Sequence, residues 1–185
     1  MTDRMTRRQA AGLGGALAGV ALVGSAAQAQ DRHSMAHSRL KPPADDRLEI
    51  LELIALYAWA YDCADADMLK QTFTDDGELY VWGSIMATAA GGFEEMIAHS
   101  LEMKEGHGWQ HCADHHVFRA YDGNSCRVYS YYTMFQADPD GGNPQGRAMG
   151  HYASHCVRTD QGWRFRRRDV TRWDGTMPFT PGLGD

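Results

Sequence analysis

Nine histidines and a surplus of carboxylates are the residues of this chain best suited to chemistry. His111, His115, His151 and His155 recur four apart, with Cys112 and Asp114 among them. Residues four apart in an extended strand share a face but stand about 13 Å from each other. Gathering a metal would need two such strands side by side, and no HExxH, CxxC or facial-triad spacing supports it. The expectation is no metal site. Proton transfer is the other use of imidazole: with a reference pKa near about 6.5, the neutral ring is a competent base around neutral pH. A carboxylate on its second nitrogen fixes the tautomer and stabilises the imidazolium as it forms. Such a base removes a carbon-bound proton when the developing charge spreads onto a carbonyl or ring, and tyrosine hydroxyls can stabilise that charge. An elimination of this kind needs no cofactor. No GxGxxG opens a helix after a strand, since Gly12 to Gly15 fall in the N-terminal leader described next.

The chain has 185 residues, 43% hydrophobic and 23% charged, and a net charge of −6. That composition suits one globular domain, and the charge gives no basic footprint for nucleic acid. Arg164, Arg166 and Arg168 alternate along a predicted strand and read as a solvated or subunit-contact face. The start is different in kind. Arg4, Arg7 and Arg8 precede an uncharged stretch from Ala10 to Ala27, and Ala27-Gln28-Ala29 offers small residues for a signal peptidase. Thr6-Arg7-Arg8-Gln9 resembles a twin-arginine (Tat) signal, although the usual Phe and Lys are missing. Residues 1–29 are expected to be an export signal peptide, giving a periplasmic or secreted protein without stable membrane insertion after processing. Four cysteines (Cys63, Cys112, Cys126, Cys156) would allow two disulfides in three connectivities there.

Residues 30–45 are polar and aperiodic, as in a linker. Asp45 or Asp46 then stands where an N-cap belongs, with Glu49 three residues after Asp46. Leu48, Leu51, Ile54 (or Ala55), Ala58 and Tyr61 predict an amphipathic helix over 46–61. A shorter helix follows from Ala64 to Phe73, a strand from Glu78 to Trp82, and a third helix from Phe93 to Lys104. The period then becomes two. Four strands are predicted near 110–121, 126–137, 147–158 and 163–172, separated by turn-forming clusters such as Asp122-Gly123-Asn124. By strand alternation His115 and His116 point to opposite faces. Helices first and a meander later make an α+β domain over 46–175, followed by a tail at 176–185.

This order of elements, ending in Gly162-Trp163-Arg164-Phe165 with Arg172-Trp173, resembles the NTF2-like (SnoaL-like) superfamily. Tyr57-Ala58-Trp59-Ala60-Tyr61-Asp62 and His116 resemble the scytalone dehydratase branch, related to hexachlorocyclohexane dehydrochlorinase. The resemblance implies a cone-shaped roll, three helices on a strongly curved antiparallel sheet, with an interior pocket. It implies that Asp62 orients His116 as base, and that Tyr61 helps polarise a substrate carbonyl through water. Tyr57, Trp82, Tyr132, Gln136 and Ser154 are the expected substrate-binding residues. Gln136 stands nearest the position of the branch's second histidine, Ser154 replaces its asparagine, and Tyr80 or Trp82 lies near its strand-one tyrosine.

The implied function is a cofactor-independent lyase, a dehydratase acting on a small, largely apolar, cyclic or aromatic molecule. The alternatives are an isomerase or aldol-type carbon–carbon lyase using the same dyad, or a non-catalytic ligand-binding module. The resembled branch also implies a homo-oligomer, with a trimer ahead of a dimer.

Overall fold

The structure is a computed structural model, and it describes residues 41–88 and 91–179. The leader and most of the 30–45 linker lie outside the described residues. Helix α1 (Ala44–Asp62) buries Ile50, Leu53, Ile54, Tyr57 and Ala60, the three- and four-residue spacing of a single helical face. Helix α2 is Ala66–Gln71, strand β1 Phe73–Val81, β2 Ser84–Thr88, and helix α3 Phe93–Lys104. Strands β3 (Gly108–Arg119), β4 (Ser125–Ala137), β5 (Gln145–Thr159) and β6 (Gly162–Arg172) complete the chain of elements. The fold is the expected α+β arrangement, a curled six-stranded sheet with its helices at the N-terminal side. Strand order is β2-β1-β6-β5-β4-β3, antiparallel throughout except for the parallel β1–β6 pair.

Several boundaries differ from expectation for local reasons. Helix α1 begins after Pro43, and neither Asp45 nor Asp46 caps it. Asp46 is instead enclosed and accepts hydrogen bonds from Tyr121, Arg158 and the Trp163 indole, all distant in sequence. Asp65 supplies a cap one helix later, its Oδ1 accepting from the Met68 amide at 2.9 Å. That shortens α2 and releases Phe73 to start β1. Trp82 lies just past the end of β1, in a turn and not in a strand, and its side chain reaches the Tyr132 hydroxyl. It and Gly83 hold φ of 53° and 84° in the two-residue turn between β1 and β2, which is the backbone that a tight hairpin demands. Trp82 is 54% exposed there, and the Arg172 guanidinium lies 3.8 Å over its ring.

Two β-bulges reverse the alternation that the sequence suggests. On β3, Asp114 pairs with Tyr131 but Val117 pairs with Tyr129, so β3 holds one extra residue, and His115 takes φ 52°. Both His111 and His116 therefore face the helices, whereas uninterrupted alternation would send them to opposite faces. On β6, Arg167 pairs with His155 but Phe165 with Cys156, which leaves Arg166 as the extra residue. Phe165 and Arg168 consequently share the interior face, and both are fully buried. The expectation of a solvated arginine row thus fails at Arg168.

All four cysteines are free thiols. The C-terminal segment is not wholly a tail, because Phe179 packs on Tyr129 with ring centroids 4.9 Å apart.

Candidate active site

The last residue of α1 meets the edge strand of the sheet. Strand β3 has a neighbour on one side only, so its other side can be bonded by a helix. Asp62 does this with both oxygens: Oδ2 accepts the His111 amide at 2.7 Å and Oδ1 the His111 Nδ1–H at 2.6 Å. Both side chains are nearly enclosed, at 13% and 12% exposure. A carboxylate can only accept, so Nδ1 carries the proton and Nε2 keeps its lone pair. The end of α1 is held from below by Lys104, whose Nζ donates to the Asp62 carbonyl at 2.9 Å. Burial holds the Lys104 pKa below its ordinary value, with the Asp62 charge opposing that fall.

Asp62 therefore does not orient His116. His116 sits just past the bulge, with Nδ1 hydrogen-bonded to the Ser130 hydroxyl at 2.8 Å. Burial lowers its pKa; Asp114 opposes the fall, while Arg168 and His115 add to it. His115 is on the outside, bonded to Asp114 and leaning on Tyr131.

Tyr61 packs its ring edge-on to His111, centroids 5.2 Å apart. Its hydroxyl is bonded at 2.6 Å to Ser100 on α3, and burial raises its pKa. Tyr57 lies in the core, edge-on to Phe73, Tyr152 and Phe165. Tyr132 is buried and stacks on Tyr152 at 4.8 Å. Ser154, also buried, accepts a hydrogen bond from Arg168 Nη1 at 3.0 Å. Gln136 is half-buried near the far end of β4, opposite Trp109.

Six expected residues thus share one interior face with Asp62 and His111: His116, Tyr61, Tyr57, Tyr132, Ser154 and, by strand alternation at the far end of β4, Gln136. Sequence reasoning missed His111 as the carboxylate's partner, and missed Ser130 and Arg168. His111 stands out in the sequence only as a member of the four-apart histidine set. Among the described residues no cluster of three or more His, Cys, Asp or Glu could hold a metal ion. A groove of about 740 Å³ lies elsewhere, bounded by α2, the start of β1 and the β5–β6 turn, and none of these site residues lines it.

Comparison with known proteins fits this architecture. A family model described as a SnoaL-like domain matches residues 42–169. An NTF2-like protein with a cystatin-like fold from Novosphingobium aromaticivorans superposes with a TM-score of 0.61 at 25% identity, covering 85% of this chain and 94% of that one. ActVI-ORFA from Streptomyces coelicolor gives 0.63 at 22% identity, over 74% and 100%. Aln2 from a Streptomyces species gives 0.64 at 17%, over 72% and 94%. No curated protein matches the sequence.

Proposed function

Because the chain belongs to the SnoaL-like domain family of the NTF2-like superfamily, which includes polyketide cyclases and related enzymes, we propose that it is a cofactor-independent lyase. The observation that carries this reading is the pair of hydrogen bonds that His111 donates to Asp62, its amide to Oδ2 and its Nδ1–H to Oδ1, which leaves Nε2 as a positioned base. His111 Nε2 takes a carbon-bound proton. The C–H electron pair becomes a double bond, and the oxygen on the adjacent carbon departs with its bonding pair. Protonation by the imidazolium form of His116 lets that oxygen leave as water, and the proton taken up by His111 is afterwards released to solvent, from which His116 is reprotonated. Asp62 stabilises the imidazolium formed on His111. The aromatic lining of the interior face favours a small, largely apolar, cyclic or aromatic substrate.

The pair of histidines also favours a second reading. A proton taken by His111 and another delivered by the imidazolium form of His116 to a different carbon would be an isomerisation, the pair resetting through solvent. Mass spectrometry of the purified protein incubated with cyclic β-hydroxy ketones separates these outcomes. Loss of water is expected. Double-bond migration without mass change would move the assignment to an isomerase, released aldehyde to a carbon–carbon lyase. Binding without any product would leave a ligand-binding module.

Self-association is part of the proposal. Tyr131, Phe135 and Met149 are exposed on the outer face of β4 and β5, with Met149 opposite Thr133 between the two aromatics. This apolar strip suits a contact between copies of the chain. Light scattering should give a trimer, and a monomer at micromolar concentration would refute it.

A further inference from the structure

Arg168 is a charged side chain with no exposure to water. It is fully buried on the interior face, and no carboxylate among the described residues pairs with it. An isolated buried cation carries a large desolvation penalty, and perturbed or buried charges of this kind cluster at functional sites. Aromatic rings offset part of the cost. The guanidinium lies 3.8 Å from the Tyr152 ring centroid, 4.2 Å from Tyr57 and 4.6 Å from Phe165. These ring contacts offset part of the charge but supply no hydrogen-bond acceptor in the plane of the guanidinium, where its five N–H donors point.

The edges are unequally served. Nη1 donates to Ser154, while Nε and Nη2 are buried and make no hydrogen bond of good geometry. The Tyr57 and Tyr152 hydroxyls are the polar groups that lie against the guanidinium, and its charge favours their ionised forms. Buried donors without partners are rare in folded proteins. These two donors form a single edge of the guanidinium, the fork that matches the two oxygens of a carboxylate. The adjacent residue shows the same edge in use: Arg167 holds Asp169 through Nε at 2.8 Å and Nη2 at 2.7 Å. Arg168 presents that fork to the interior, because the bulge at Arg166 turns it inward.

We infer that Arg168 is the anion-recognising group of the interior site, and that the natural ligand is a small cyclic or aromatic molecule carrying a carboxylate or an enolate- or phenolate-type oxygen. This rests on the reading that the interior face is the substrate site. It adds a polar anchor to an otherwise apolar and aromatic surface, with His116–Ser130 and Asp62–His111 on the same face. The anion would complete the fork and neutralise the buried charge, and the aromatic rings would pack against the ligand's ring.

Titration calorimetry and thermal melting with benzoate, with phenolate-bearing 4-nitrophenol, and with the neutral isostere benzamide provide the test. Benzoate or the phenolate should bind the wild-type protein and raise its melting temperature. Benzamide should bind at least tenfold more weakly. Arg168→Met should abolish that preference, and Arg168→Lys, which keeps the charge but not the fork, should recover only part of it. Asp62→Asn should keep anion binding even if it loses turnover, so failure of the catalytic assignment and failure of this one are separable. Should Arg168→Met not fold, the wild-type comparison still decides. Equal affinity for benzoate, phenolate and benzamide, or no binding of either anion at millimolar concentration, would overturn the inference.

Discussion

Replacing Asp62 by Asn, or His111 by Ala, is expected to lower turnover by about 10²–10⁴-fold while the protein stays folded. The two should act as one unit. Asn at position 62 can accept with one atom only, so it cannot bond both the amide and Nδ1 of His111 as a carboxylate does. The ring then loses the fixed tautomer that leaves Nε2 unprotonated. Removing the ring deletes the base itself. The double variant should therefore be little worse than either single one. His116→Ala is the informative contrast. If His116 delivers the proton to the leaving group, its loss should cost less with substrates whose leaving group needs no proton. If His116 were the base, as the sequence resemblance implies, His111→Ala would remain active and His116→Ala would be inactive with every substrate. That pattern would sink the present assignment. Melting curves of each variant guard against misreading a lost fold, because Asp62 also ties α1 to the sheet edge. Dialysis against a chelator is expected to leave the rate unchanged.

The move of the carboxylate's partner from His116 to His111 shows what this sequence can reveal. Helix α1 is readable as a helix but its buried face is not. Of the expected stripe Leu48, Leu51, Ile54, Ala58 and Tyr61 only Ile54 is buried and Leu48 is 64% exposed, while Ile50, Leu53, Tyr57 and Ala60 face the core. Helix α3 spans the expected residues. The four long strands are readable from their alternation and turn clusters. Bulges are different, because an inserted residue leaves the local composition unchanged and alters only the parity of everything beyond it. The one at His115 places His111 and His116 on the same face, and the one at Arg166 turns Arg168 inward. Without a partner strand to count against, neither can be seen. The site is thus legible as a set of residue types and obscure as a set of pairs. Strand β2 escapes a sequence reading for a related reason, because the Trp82-Gly83 turn lacks the Asn-Gly or Asp-Gly signal of a tight hairpin.

Asp46 carries the largest stability prediction. A carboxylate at the start of a helix looks like a cap, but the chain folds so that three donors converge on it from β5, β6 and the end of β3. Tyr121 bonds Oδ2, while Arg158 and the Trp163 indole bond Oδ1, the last at 3.4 Å. Arg158 also lies 4.8 Å over the Trp163 ring, so the cluster fastens α1 to the far side of the sheet. Asp46→Ala strands all three donors at once. Each lost partner of a buried polar group costs about 1–3 kcal/mol. Arg158 is 37% exposed and can turn to water, so the total should stay near about 2–3 kcal/mol rather than the sum. For a chain of this size that is a drop of roughly 4–10 °C in melting temperature. The hydrogen bond from Tyr121, followed by those from Arg158 and Trp163, holds the Asp46 pKa below its ordinary value against the opposing effect of burial. A depressed carboxyl pKa contributes stability that is complete above the unfolded value, about 3.9, and is lost as pH falls through the folded one. The gap in melting temperature between wild type and Asp46→Asn should therefore be widest at neutral pH, begin to narrow below about pH 3.9, and close only as pH falls through the depressed folded-state value, where the wild-type carboxyl is itself protonated. A gap that persists unchanged to about pH 3, or no gap at about pH 7, would mean that the charge of Asp46 does not hold this corner of the fold together.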